Sequence, residues 1–294
     1  MIGGRGLQQF RKDMVEDKHI EKMFDFENDR EIFPTTHIDG GLCYFLWNKD
    51  YSGLIKYAYK PANGGQVVYE RDLKNETSSF IVRDYRRLAL ISKVISASKR
   101  FSSIVSAINP FNINSKLFNN PELFPLAKYS EEYFDSSVKI WGVKGIKGGA
   151  KRRLAYISKS FITKNIQWLD KYSIYFSKTY STGAIEYPEL ILAEPGVVCT
   201  ETFLAIGPFA IKEEMINCKK YMCTDFFKIL LFFGKGTIHV TQDVFNYIPL
   251  QNFTAQSDID WSKSIPEIDQ QLYTKYNLSE DEINFIEKMI KPME

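Results

Sequence analysis

Apolar positions recur along this chain with two periods, and each period marks a different kind of element. Leu7, Phe10 and Met14, with Val15 beside them, lie at helical spacing on one face, which predicts a helix. Ile20 to Phe26 places Ile20, Met23, Phe24 and Phe26 in the pattern of a strand. After Pro34, Leu42-Cys43-Tyr44-Phe45-Leu46-Trp47 is apolar throughout, the pattern of a strand covered on both faces. Residues 48–53 form a turn, and residues 54–60 are expected to return antiparallel to the strand before them. A short strand follows at residues 66–69, and residues 83–99 put Leu88, Ile91 and Ile95 on one helical face. Residues 102–120 read as loops.

The stretch 194–253 reads as a compact α/β recognition unit. The apolar run Phe203 to Ile206 ends in a Gly207-Pro208 turn. Met215, Cys218, Met222, Phe226 and Ile229 then fall at helical spacing, predicting one long helix whose stripe is core packing. Gly234-Lys235-Gly236 breaks it, a β-branched strand runs from Thr237 to Val240, and residues 243–250 end in another. Strands are also expected at 170–178 and leading through Leu190 to Ala193. Beyond Phe253 the chain is polar. Ser264 with Glu267 predicts a capped helix through Tyr276, and Ser279 with Glu282 a second, with Leu278 and Ile283 as its staple.

Composition narrows the function classes. A chain of 294 residues holds one large domain or two ordinary ones, and 44% hydrophobic with 25% charged residues describes a folded chain. Twenty-two Phe and 17 Tyr leave room for a stacking surface beyond the core. Four cysteines without a C-x-x-C pair, and only three histidines, argue against a structural zinc site and fit a reducing cytoplasm. No apolar run approaches the roughly 20 residues of a membrane span, and the N-terminus lacks a signal core, so a cytoplasmic protein without a membrane partner is expected.

A net charge of +2 says nothing about polyanions, but its distribution does. Residues 136–169 hold eight Lys or Arg and no Asp or Glu, with glycines at 142, 145, 148 and 149 and with Trp141, Tyr156, Phe161 and Trp168 interleaved. Glycine lets a backbone approach phosphate closely and the cations neutralise it. The alternative is a solvated basic loop between strands. Lys144, Lys147, Lys151, Arg152 and Arg153 are the candidate DNA-backbone contacts, with Lys235, His239 and Thr241 as weaker candidates near a groove. His239 fits a base-edge or phosphate contact and a strand cap equally well.

Catalytic patterns fail one by one. Gly234-Lys235-Gly236-Thr237 lacks the glycine five residues earlier that a phosphate loop needs, and the dinucleotide fingerprint G-x-G-x-x-G is absent. His37 and Asp39 have no nucleophile in a shared pattern, so a turn or surface role is expected of His37. Asp13, Glu16 and Lys18 only loosely echo a metal-dependent nuclease triad, since they cluster at one helix end.

Three stretches resemble adenine-specific DNA methyltransferases of type II restriction–modification systems whose C-terminal half is TaqI-like. The first is Gly3-Gly4-Arg5-Gly6-Leu7 with Phe10-Arg11-Lys12. The second is Phe33-Pro34 followed by Ile38 through Trp47. The third comprises Ala193 to Gly196, Cys199 to Thr202, His239-Val240-Thr241 and Ile248 to Gln251; with residues 282–292 the similarity spans the chain. The resemblance implies an S-adenosylmethionine-binding α/β half and a DNA-contacting target recognition half. Asn-Pro-Pro-Tyr, the family's adenine-holding motif, is absent; Asn109-Pro110-Phe111 has one Pro, and no glycine-rich cofactor loop follows an early strand. The expected fold is therefore an α/β remnant, the C-terminal strands of a Rossmann-like methyltransferase sheet over 1–80. An α+β target recognition domain follows over 81–262, then a helical tail over 263–294. The implied function is double-stranded DNA binding without catalytic, cofactor or metal residues in this chain, as a fragment or one piece of a split enzyme. Its other partner would be the missing catalytic half or a restriction subunit. The alternatives are a docking subunit and a complete but atypical methyltransferase.

Overall fold

A computed structural model describes residues 8–36, 38, 41–61, 65–74, 83, 85–95, 99–147, 149–181, 184–235 and 238–290. His37 and Asp39, the Gly3–Gly6 stretch, and Gly236 with Thr237 lie outside them. The chain divides into two units, one of residues 1–96 with 235–238 and one of 97–234 with 239–294.

In the first unit, helix α1 (Gln8–Glu16) precedes a four-stranded sheet of β1 (Ile20–Phe26), β2 (Leu42–Trp47), β3 (Ile55–Lys60) and β4 (Val67–Arg71), and α2 (Tyr85–Ile95) follows. The strand order is β2-β1-β3-β4. Two expectations fail here. β3 does not return against β2; it pairs parallel with β1 and antiparallel with β4. Nor is β2 covered on both faces, because it is the sheet edge and Tyr44, Phe45, Leu46 and Trp47 are 43–51% exposed. An uninterrupted apolar run cannot by itself distinguish a doubly buried strand from an exposed apolar edge.

One face of this sheet packs Met23, Ile55, Tyr57 and Tyr59 with Val15, Ile20 and Leu73. Asp25 is buried beneath them, accepting a hydrogen bond from Tyr57 at 2.5 Å and facing the Arg83 guanidinium at 3.0 Å. Burial and the Asp25 charge both push the Tyr57 phenol well up. The nuclease-like trio is engaged elsewhere: Asp13 accepts from Gln9, Glu16 pairs with Lys74, and Lys18 pairs with Asp72, all on the surface.

The second unit begins with 3-10 turns between residues 101 and 127 and then builds two three-stranded sheets. β5 (Ser137–Ile146) and β6 (Gly149–Ser158) form a hairpin, extended by β9 (Val197–Cys199) parallel to β5. β7 (Tyr172–Ser177) lies between β8 (Ile191–Ala193) and β10 (Phe203–Phe209). Alternation along β7 divides its burial. Tyr175 joins a core with Phe118, Val138, Ile140, Ala155, Ile157 and Phe203, whereas Phe176 packs against Phe245 and Tyr187. Gly207-Pro208 is not a turn after the apolar run. It sits inside β10 at a register shift against β7, where Gly207 takes φ +128 and Phe209 resumes the pairing.

The predicted long helix is two helices, α3 (Lys212–Met222) and α4 (Asp225–Gly234). Its stripe is core, with Met215, Cys218, Met222, Phe226 and Ile229 fully buried. The break has two causes. Thr224 Oγ accepts from Phe227 N at 3.1 Å, and the Asp269 carboxylate accepts from Asp225 N at 3.0 Å and Phe226 N at 2.9 Å, satisfying amides that a helix start leaves unpaired. Burial raises the Asp269 carboxyl to about 6, partly offset by those two amides. Asp269 belongs to α5 (Ile265–Lys275), which α6 (Glu280–Ile290) follows. Both predicted capping boxes form: Ser264 with Glu267, and Ser279 N to Glu282 at 2.7 Å with Glu282 N to Ser279 Oγ at 3.3 Å. Strands expected at 237–240 and before Leu250 are absent among the described residues; Gln242–Tyr247 is a 3-10 helix, and His239 and Pro249 make only isolated bridges.

Among the described residues no helix is long and apolar enough to cross a membrane.

Candidate nucleic-acid interface

The acid-free segment is not a loop. Its first two-thirds is the β5–β6 hairpin, paired without interruption from Ser137↔Ser158 to Ile146↔Gly149. The glycines, read from the sequence as letting the backbone approach a phosphate, have structural uses in the hairpin. Gly142 faces the core, where a Cβ would stand 2.1 Å from the Phe118 ring, so the strand passes over that ring only because a hydrogen is there. Gly149, at φ +149, resumes the chain after the turn. Gly145 donates its amide to Asn119 Oδ1 at 2.8 Å, fixing the hairpin's outward course.

Strand alternation sorts the cations by face. Val138, Ile140, Ala155 and Ile157 are buried on one face at the base of the hairpin. Further out on that same face, Arg153 lies opposite Gly142, and Lys144 opposite Lys151. Lys147 is exposed in the turn, and Lys151 and Arg153 are exposed on β6. Two like charges directly opposite repel, and Glu131 relieves this by pairing with Lys144 at 3.0 Å, which raises the Lys144 ammonium above its usual range.

Arg152 is different. It points to the other face, donates to the Glu189 carbonyl at 2.6 Å and Ser177 Oγ at 2.8 Å, and lies over the Phe203 ring at 5.7 Å. Its guanidinium holds strands together. Thus Lys144, Lys147, Lys151 and Arg153 are brought to the outer half of one hairpin, and Arg152 is committed to the scaffold.

The three weaker candidates have other settings. His239 bridges Thr179, with its ring Nδ1 3.3 Å from Thr179 Oγ, and Thr241 begins the 3-10 helix Gln242–Tyr247. Lys235 follows α4 and is buried, which pushes its ammonium down to about 8.

A cleft of about 450 Å³ opens against the outer face at the hairpin's base. Lys139, Trp141, Leu154 and Tyr156 line it from β5 and β6, and the Glu194-Pro195-Gly196 turn forms another wall. Gly196, at φ +84, makes that turn, and its carbonyl accepts from Lys139 N at 3.0 Å, tying the wall to the hairpin. Tyr133 meets Tyr156 edge-on at 5.9 Å. Lys212 pairs with Glu194 at 2.8 Å, and Lys212 first, then Lys139, holds the Glu194 carboxyl below its usual range. The sequence pattern brought out Trp141 and Tyr156 as interleaved aromatics and Lys139 as one of the eight cations, but not Tyr133, Glu194 or Lys212 as site residues. The period-two separation of Val138 and Ile140 from Lys139 and Trp141 was the available signal.

No family model matches the chain, and no curated protein matches it. Among solved structures, the type IIG restriction endonuclease BpuSI aligns with 98% of this chain and 44% of its own, at 10% identity and a TM-score of 0.38. The chain thus spans less than half the length of that structure.

Proposed function

We propose that this chain is the DNA-binding target recognition portion of a site-specific adenine-N6 DNA methyltransferase of a restriction–modification system. The observation that carries the reading is the outer half of the β5–β6 hairpin. It presents Lys144, Lys147, Lys151 and Arg153 on a paired, small-residue ribbon with no acid of its own. A two-stranded ribbon fits the major groove of duplex DNA, and cations at its rim neutralise phosphates. The resemblance of three stretches to that family supplies the rest. Because Asn-Pro-Pro-Tyr and a cofactor loop are absent from the sequence, the chain does not methylate alone under this reading, and S-adenosylmethionine binds elsewhere in the full enzyme.

Duplex binding measured across salt concentrations tests it. Log affinity should fall with log salt by about 0.9 per phosphate contact, and a flat dependence rejects the reading. Titration with S-adenosylmethionine should give no heat, whereas binding would favour a complete methyltransferase.

A second reading, docking onto a separate catalytic or restriction subunit, is favoured by the exposed apolar edge at β2. Complex formation with an S-adenosylmethionine-binding subunit, abolished by Leu46→Lys, would support it.

A further inference from the structure

The cleft at the base of the hairpin has features that phosphate neutralisation does not require. Trp141 and Tyr156 are diagonal neighbours on one strand pair, since Trp141 stands opposite Leu154 and Lys139 opposite Tyr156. Both rings line the cleft and are half-buried, Trp141 also packing against residues of the Val138–Ile157 core, and Tyr133 adds a third ring, 67% exposed. Aromatic rings on an exposed sheet face are platforms for unpaired bases, because every base has a π-face to stack. Lys139 and Lys212 flank the rings, and Glu194 is the single carboxylate of the lining, which leaves one cation in excess for a phosphate. A volume of about 450 Å³ suits a single nucleotide.

We propose that this cleft binds an unpaired nucleotide, its base stacked on Trp141 and Tyr156 and its phosphate held by Lys139. The inference rests on the nucleic-acid reading of the same hairpin and deepens it. Lys144, Lys151 and Arg153 lie on the opposite face of the same hairpin, so the cleft is a contact surface separate from the outer cations. The nucleotide comes either from a nucleic-acid strand or from free mononucleotide, and the two sources are separable.

The test compares three probes on the full chain: a fully paired duplex, the same duplex with one bulged adenosine, and deoxyadenosine monophosphate. The bulged duplex is expected to bind about tenfold more tightly than the paired one, a preference lost in Trp141→Ala and restored in Trp141→Phe. Binding of the mononucleotide alone, lost in the same variant, would assign the cleft to free nucleotide. Equal affinity for paired and bulged duplexes with no mononucleotide binding overturns the inference while leaving the duplex reading intact. If neither duplex binds, the functional reading fails, and the mononucleotide still tests the cleft: its binding sustains the inference and its absence ends it.

Discussion

Two sheet edges in this molecule face the same problem and meet it in opposite ways. β2 ends the sheet of the first unit, and β6 ends a sheet of the second. An open edge offers unpaired amides and carbonyls to any passing strand, and natural edges are usually blunted by charge. β6 is blunted: Lys151, Arg152 and Arg153 follow one another along its outer half. β2 is not, because Leu42 to Trp47 carries no charge and its last four side chains are 43–51% exposed. Charge on an edge therefore has two explanations, protection against strand pairing and recognition of a polyanion, and the contrast with β2 separates them. If protection were this chain's general habit, β2 would carry it too. Its absence there favours recognition at β6.

The largest expected effect breaks or upholds that contrast directly. Replacing Lys144, Lys147, Lys151 and Arg153 together by Gln should lower duplex affinity on the order of a hundredfold at ~0.1 M salt and flatten the salt slope by about 0.9 per lost contact. Fluorescence anisotropy measures both. An unchanged slope, accompanied by new self-association, would mean that the cations only guard the edge.

Three substitutions along the hairpin come next and sharpen the division between scaffold and surface. Arg152→Gln should destabilise folding by about 1.5–3 kcal/mol, since it removes charge-assisted hydrogen bonds to Ser177 and Glu189. Lys151→Gln, one residue away and exposed, should stay within about 0.5 kcal/mol. Gly142→Ala should cost about 1–3 kcal/mol through its clash with Phe118. Urea unfolding reads all three, and equal costs for Arg152 and Lys151 would erase the distinction.

These same residues show what a sequence exposes and what it conceals. The helix starts at Ser264 and Ser279 were readable because a capping box is closed within four residues. The break between α3 and α4 was not, because its carboxylate, Asp269, lies 44 residues from the amide of Asp225 that it satisfies. The hairpin was concealed by its own glycines and cations, which locally signal a loop. Only the pairing of β5 with β6 shows that Gly142 is a close-packing position and that Arg152 and Arg153 point to opposite faces. The aromatic cleft was half visible, since Trp141 and Tyr156 stood out by type, while Glu194 and Lys212 reach it through tertiary contacts.

The smallest stability effect bears on the unguarded edge. Leu46 is 48% exposed, and its strand partner is Lys22, so Leu46→Lys removes little buried area and should change folding stability by less than about 0.5 kcal/mol. Its effect on association should be larger than its effect on folding. An apolar edge strand templates intermolecular pairing, and one lysine on it opposes that pairing by charge and desolvation. Light scattering of the wild-type chain should therefore show concentration-dependent association that Leu46→Lys suppresses, while the four-cation hairpin variant leaves it in place. Were the wild type monomeric at high concentration, β2 would be protected by geometry despite its composition, and the contrast with β6 would no longer favour recognition over protection.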